Sequence, residues 1–180
     1  MEKDFFPTAE EVKDAIRQAL RKFYLNDSFL FHNNVHERTL TFRLGIYLQE
    51  LFFAWNVDCE YNKNIATVKG NKLLSARYNN LRKLNCGQCT ARKNCTVFPD
   101  IIIHRRGTSE NLLVIEAKKN ASEPDKNADI KKIKEYLKES TLKYRYGLFL
   151  DFKDSYDETI SSLDSNWVPM DSARKRDHKA

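Results

Sequence analysis

Two apolar segments near the middle of the chain constrain its fold more than any other feature. Residues 97–104 and 111–118 are rich in isoleucine, leucine and valine, and the turn between them contains Gly107, Thr108 and Ser109. Runs of this length and composition, separated by turn residues, predict two neighbouring strands joined as a β-hairpin. The sequence therefore predicts a sheet at the centre of the fold.

The flanking residues predict helices and further strands around this hairpin. Thr8 begins a capping-box sequence, and the apolar residues after it recur at helical spacing, which predicts a helix at 8–25. The other expected elements are helices at 34–54, 71–84 and 129–143 and strands at 57–61 and 144–152. This order predicts an α/β or α+β domain with a central mixed sheet at 1–153. Residues 154–180 are expected to form a polar C-terminal extension with a basic tail.

The overall composition limits the class of protein. A chain of 180 residues that is 41% hydrophobic is expected to form one domain with a core. No apolar run approaches the roughly 18 residues that a membrane-spanning helix needs, so we expect no membrane association. The N-terminus lacks the basic and apolar regions of a secretory signal. We therefore expect a cytoplasmic protein whose four cysteines remain reduced.

The distribution of charge indicates an anionic partner. The net charge is +6, but residues 61–99 contain no Asp or Glu and carry +8, residues 173–180 carry +3, and the rest of the chain carries −5. Like charges at this density repel one another unless an anion such as a nucleic-acid backbone offsets them. A solvated helix face rich in lysine is the alternative. The candidate nucleic-acid contacts in the basic insert at 62–96 are Lys72, Arg77, Arg82, Lys83, Arg92 and Lys93.

The ends of the two central segments carry charged residues with catalytic potential. Side chains alternate along a strand, so Glu116 and Lys118 are expected to share one face of the second strand. The hairpin can bring Asp100 beside Glu116, where two carboxylates would repel each other unless a cation lay between them. Oxygen ligands of this kind suit Mg²⁺ or Mn²⁺. A surface hairpin with an ion pair is the alternative interpretation.

Glu37 is a candidate for the same acidic cluster. It lies at the N-terminal end of the apolar stripe of the second helix, which predicts that it faces the sheet. The stripe consists of Thr41, Leu44, Leu48 and Leu51. Because Asn34 stands three residues earlier, Glu37 is equally consistent with a capping-box glutamate.

Pro99-Asp100, followed on the next expected strand by Glu116-Ala117-Lys118, resembles the motif of the PD-(D/E)xK nuclease superfamily. This superfamily has the restriction-endonuclease-like fold, with an α-β-β-β-α-β core, and the resemblance covers about residues 34–152. It implies a Mg²⁺-dependent nuclease that hydrolyses phosphodiester bonds, with DNA as the expected substrate. Many members act as dimers, so a homodimer is an open expectation.

The resemblance also implies roles for individual residues. Asp100 and Glu116 would bind the catalytic metal, Lys118 would position or activate the attacking water, and Glu37 would join the site from the first core helix. His104 and the arginines that follow it are further candidates for DNA contact.

The cysteines suggest a second metal site. Three of them lie within ten residues in a glycine-containing loop, and the fourth lies on the first expected strand, so the four thiolates could bind structural Zn²⁺. An iron–sulfur cluster is the less favoured alternative, and four unrelated reduced thiols would need no metal. The four candidate ligands are Cys59, Cys86, Cys89 and Cys95.

Two other functional classes remain open at this stage. The chain could be a catalytically inactive nucleic-acid-binding or regulatory protein on a nuclease-like scaffold. It could also be a small interaction protein stabilised by zinc. An intact set of Asp100, Glu116 and Lys118 favours the nuclease over the inactive scaffold, because a decayed site is expected to have lost at least one of them. A zinc site without Mg²⁺-dependent activity would distinguish the interaction protein.

Overall fold

Five helices and seven strands make up the part of the chain that the structure describes. The structure is a computed structural model that describes residues 6–33, 35–61, 98–140 and 142–170, and the backbone of residues 73–74 and 95–96. The helices are α1 (Ala9–Asn26), α2 (Ser28–His32), α3 (Glu37–Leu51), α4 (Glu123–Lys138) and α5 (Tyr156–Ser161). The strands are β1 (Asn56–Cys59), β2 (Leu73–Leu74), β3 (Cys95–Thr96), β4 (Ile101–His104), β5 (Asn111–Lys119), β6 (Tyr144–Phe152) and β7 (Trp167–Pro169).

A five-stranded mixed sheet lies at the centre, in the order β1-β4-β5-β6-β7. Strands β4 and β5 form the expected antiparallel hairpin, and β1 and β7 pair antiparallel with β4 and β6. Strand β6 runs parallel to β5, and α4 forms the crossover between them. The prediction of an α+β domain with a central mixed sheet is therefore confirmed. No helix among the described residues is long and apolar enough to cross a membrane.

Helix α1 forms as its sequence predicts. The Thr8 hydroxyl accepts a hydrogen bond from the Glu11 N–H, and the Glu11 carboxylate accepts one from the Thr8 N–H at 2.7 Å. This reciprocal capping box satisfies backbone donors that the first helical turn leaves without partners. The whole predicted stripe is fully buried and consists of Val12, Ile16, Ala19, Leu20 and Phe23.

The two faces of the sheet pack against different helices. Helices α1 and α3 cover one face and contact Leu113, Ile115 and Ala117 of β5. Helix α4 covers the other face, where Val114 of β5 packs with Ile133. Because side chains alternate along a strand, Glu116 lies on the same face as Val114 and so faces α4. The alternation predicted for β5 is confirmed.

Several element boundaries differ from those predicted. Helix α4 begins six residues earlier than expected, because Ser122 caps it and Pro124 suits the first helical turn. Helix α3 is shorter than the expected 34–54. Strand β1 ends at Cys59, followed by Glu60 with a positive φ of 50°.

The residues after β6 belong to the fold and are not only a polar extension. Strand β7 adds a fifth strand to the sheet, and Thr159 and Leu163 are buried against the rest of the domain. The three residues of β7 are too few to show an alternating pattern in the sequence, which explains why the strand was not predicted. The basic tail, at 173–180, lies outside the described residues.

The basic insert is described only at its two ends. Leu73–Leu74 pairs antiparallel with Cys95–Thr96 as a two-stranded ribbon, so the helix predicted at 71–84 is wrong at these two positions. The six candidate nucleic-acid contacts in the insert lie outside the described residues. They are Lys72, Arg77, Arg82, Lys83, Arg92 and Lys93.

Candidate functional site

The β4–β5 hairpin brings Asp100 and Glu116 together. Ile101 is opposite Ile115 in the antiparallel register, so Asp100, immediately before β4, lies next to Glu116 on β5. The backbone N–H of Ala117 donates a hydrogen bond of 2.8 Å to Asp100 Oδ2. This bond fixes the aspartate at the end of the hairpin, as the sequence predicts.

The carboxylate of Glu116 is buried and only half satisfied. The residue is 2% exposed, and its Oε2 accepts a hydrogen bond of 2.6 Å from Lys132 Nζ on α4. Its other oxygen, Oε1, has no hydrogen-bond partner among the described residues. A buried carboxylate oxygen without a donor is costly, so the site favours a ligand that can contact it.

The buried position raises the pKa of both carboxyl groups. Burial, opposed by the ammonium of Lys132 and reinforced by the charge of Asp100, raises the pKa of Glu116 to about 8. Burial also raises the pKa of Asp100, although the Ala117 N–H and the two nearby lysines oppose this. Two neighbouring carboxyls with raised pKa values resist carrying charge together unless a cation offsets it.

Lys118 and Glu37 complete the expected constellation. Lys118 Nζ lies 3.3 Å from Glu37 Oε2, which links the end of β5 to the first residue of α3. Burial lowers the pKa of Lys118, but the carboxylates of Glu37 and Asp129 outweigh this effect and raise it overall. Lys118 therefore stays an ammonium at neutral pH.

Helix α3 does not begin with the capping box that was the alternative role for Glu37. The N-cap is His36, whose Nδ1 accepts a hydrogen bond from the Arg38 N–H. Glu37 is the first helical residue, and its carboxylate contacts Lys118. Asn34, the other half of the proposed box, lies outside the described residues.

Helix α4 contributes two charged residues that sequence reasoning missed. Lys132 contacts Glu116, and Asp129 interacts electrostatically with Lys132, Lys118 and Asp100. Burial raises the pKa of Asp129, against the effect of the two lysines. Asp129, Lys132 and Tyr136 follow one another at helical spacing on the side of α4 that packs on the sheet. This spacing places the three residues on one side of the helix, but it does not indicate which of them contacts a buried carboxylate.

The two carboxylates fit Mg²⁺ or Mn²⁺ better than they fit zinc. The described residues include no group of three or more His, Cys, Asp or Glu side chains arranged to hold a metal ion. Mg²⁺ keeps several waters and is often bound through only one or two carboxylates. The donor set of Asp100 and Glu116, together with the half-satisfied Glu116, is consistent with such an ion.

The affinity of this pair for a divalent cation should rise with pH. Because the pKa of Glu116 is raised to about 8, a cation must displace its proton at lower pH. The apparent Kd for Mn²⁺ should fall by up to about tenfold per pH unit toward pH 8 and level off above it. Calorimetric titration between pH 6 and 9 measures this. A Kd that does not change with pH would contradict it, and Glu116→Gln should abolish the dependence.

Cys59 packs as a neutral thiol. It is half buried against α3, its Sγ lies 3.6 Å from the carbonyl oxygen of Thr41, and a Cβ on Gly45 would lie 3.0 Å from the sulfur. Burial, reinforced by nearby carboxylates, raises the pKa of Cys59 to about 11. Cys86, Cys89 and the side chain of Cys95 lie outside the described residues, so the four-cysteine zinc site remains a prediction.

The rate at which Cys59 is alkylated distinguishes a packed, neutral thiol from a thiolate that binds zinc. With a pKa of about 11, only about 0.1% of the thiol is ionised at pH 8, so labelling by iodoacetamide should be slow. Peptide mapping by mass spectrometry measures the rate at this cysteine. Packing predicts the same slow rate before and after a zinc chelator is added. Fast labelling that begins only with the chelator would instead show that the thiolate binds zinc.

The residues that follow the aspartate strand make internal contacts. His104 is buried, and its Nε2 lies 2.8 Å from Asp58 Oδ2. Arg106 also contacts Asp58, and Arg105 pairs with Glu110 at 2.8 Å. Because the His104 ring lies inside the domain, its position argues against direct contact with DNA, and contact of DNA with the two arginines stays a prediction.

Comparison of the chain with protein-family models, with curated proteins and with solved structures finds no match.

Proposed function

We propose that the chain is a Mg²⁺-dependent nuclease that hydrolyses phosphodiester bonds in DNA. One observation carries this proposal: Asp100 and Glu116 lie side by side at the end of the β4–β5 hairpin, with Lys118 next along the same face of β5. A structural ion pair on a surface hairpin would not need two adjacent carboxylates with raised pKa values, one of them fully buried.

The order of the elements supports a restriction-endonuclease-like core. Within the described residues, helix α3, strands β1, β4 and β5, helix α4 and strand β6 follow one another as α-β-β-β-α-β. The ribbon of β2 and β3 belongs to the insert between β1 and β4. The proposed site lies where the C-terminal part of β5 extends past the first residue of β4, and the start of α3 approaches it there.

The residues of the site have distinct roles in the proposed reaction. Asp100 and Glu116 would hold Mg²⁺, which supplies water activation and charge neutralisation at the phosphate. The Ala117 N–H would hold Asp100 in place as a ligand through its bond to Oδ2. Lys118 is kept charged by Glu37 and Asp129 and provides a cation for the phosphate and a donor for the attacking water.

The charge distribution supports nucleic acid as the substrate. The stretch at 61–99 has no Asp or Glu and carries a charge of +8. It lies in the chain between β1 and β4 and ends immediately before Asp100, the first proposed metal ligand. Basic residues that neutralise phosphates provide most of the affinity of a protein for nucleic acid and make that affinity dependent on salt.

Incubation with defined nucleic acids tests the proposal. The purified protein is mixed with single-stranded, duplex and supercoiled DNA, and with RNA, each in Mg²⁺, Mn²⁺ or EDTA. We expect cleavage of DNA in Mg²⁺ or Mn²⁺ and none in EDTA. Binding of DNA without cleavage in any metal would favour the inactive scaffold instead, and cleavage of RNA alone would reassign the substrate.

A further inference from the structure

The contact between Lys132 and Glu116 places a cation on a proposed metal ligand. Lys132 Nζ lies 2.6 Å from Glu116 Oε2, and the Glu116 side chain is 3% exposed. A buried carboxylate needs a counter-charge, and the lysine of α4 provides one. The nuclease roles proposed above use Lys118 and leave Lys132 without a function.

The contact with Lys132 satisfies only one of the two carboxylate oxygens of Glu116. Glu116 Oε1 remains without a hydrogen-bond partner among the described residues, although it is buried. An ion that contacted this carboxylate would lie close to the Lys132 ammonium, and two cations at such a distance repel each other. Binding of a divalent cation and retention of the lysine contact therefore oppose one another.

Lys132 has room to leave Glu116. Its side chain is 21% exposed, and a lysine has a flexible four-carbon stem that can carry the ammonium toward solvent without moving the helix. Asp129, one turn earlier on α4, already interacts electrostatically with Lys132. Its carboxylate offers an anionic partner to the displaced ammonium.

We propose that Lys132 is an internal counter-ion for Glu116 that a divalent cation must displace, so that this lysine sets the affinity of the site for metal. Without metal, the lysine stabilises the buried carboxylate. With metal, the ammonium moves toward Asp129. The inference rests on the proposed metal site of Asp100 and Glu116. It makes Lys132 a residue that tunes metal binding rather than a catalytic residue.

Replacement of Lys132 by methionine tests this inference without measuring activity. Binding of Mn²⁺ to the full chain is measured by calorimetry, and thermal unfolding is followed with and without Mn²⁺. At pH 9, where the Glu116 proton competes least with the ion, we expect Lys132→Met to bind Mn²⁺ about tenfold more tightly than wild type and to show a larger stabilisation by Mn²⁺. The metal-free variant should have a lower melting temperature than metal-free wild type.

Two further variants separate the charge of Lys132 from its packing. Lys132→Arg keeps a competing cation and is expected to bind Mn²⁺ as weakly as wild type. Lys131→Met removes an exposed lysine from the same helix and should leave Mn²⁺ affinity unchanged. If Lys132→Met cannot fold without metal, its recovery on addition of Mn²⁺ supports the inference as well.

The outcomes distinguish this inference from the proposed function. Equal Mn²⁺ affinity in wild type and Lys132→Met, or weaker affinity in the variant, would overturn the inference and leave the metal site in place. No Mn²⁺ binding to either protein would overturn both the inference and the proposed site.

Discussion

Replacing Asp100 by Asn is expected to lower the rate of Mg²⁺-dependent DNA cleavage by roughly a thousandfold or more, because the neutral amide can no longer hold the cation. The amide oxygen can still accept the Ala117 N–H, so the hairpin and the thermal stability should change little. DNA binding should also persist, since the basic residues are unchanged. Single-turnover cleavage and a binding titration on the same preparation measure the two effects.

Asp164→Asn is the matched control for this substitution. Asp164 is an exposed aspartate that pairs with Lys13 and Arg17, outside the proposed site. The control should cleave at the wild-type rate. If Asp100→Asn cleaved DNA as fast as this control, the aspartate would not belong to an active site.

Replacing Gly147 by Ala is expected to destabilise the fold by about 1–3 kcal/mol, the usual cost of overpacking a core. A Cβ at this position on β6 would lie 2.2 Å from Cγ2 of Ile133 on α4, so the helix or the strand must shift. Because α4 carries Asp129 and Lys132, a shift of the helix also moves the site. Chemical denaturation measures the loss of stability.

A double-mutant cycle identifies the contact responsible. Ile133→Ala alone leaves a cavity and should cost about 2–5 kcal/mol. Ile133→Ala also removes Cγ2, the atom that clashes with the Cβ of Gly147→Ala. The double variant should therefore lose less stability than the sum of the losses in the two single variants. Strictly additive costs would show that the clash is not the cause.

The local pattern of apolar and polar residues is sufficient to predict the core of the fold. The alternation of Leu113, Ile115 and Ala117 against Glu116 and Lys118 predicts which residues face which helices, and the structure has that arrangement. Period-two and helical patterns are reliable where one face is fully buried, because every misplaced residue would expose an apolar side chain.

The contribution of α4 to the site could not be predicted from such patterns. Lys132 and Asp129 are charged residues in a helix with many lysines, and only tertiary packing distinguishes Lys132, which contacts a buried carboxylate, from the exposed Lys131. Helix α4 also begins earlier than its apolar stripe indicates, because the Ser122 cap and Pro124 precede the stripe. Long-range contacts of this kind leave no periodic signal.

The comparison of Lys118→Ala with Lys119→Ala tests the central claim most directly. The two lysines are neighbours on β5, but Lys118 contacts Glu37 in the site, whereas Lys119 donates to the backbone carbonyl of Phe31 at 2.6 Å. Both variants lose one positive charge, so nonspecific attraction to DNA falls equally. The initial rate of DNA cleavage in Mg²⁺ is measured for both at equal folded concentration. We expect Lys118→Ala to lose at least about a hundredfold in rate and Lys119→Ala to stay close to wild type. Undiminished cleavage by Lys118→Ala would contradict the assignment of the site.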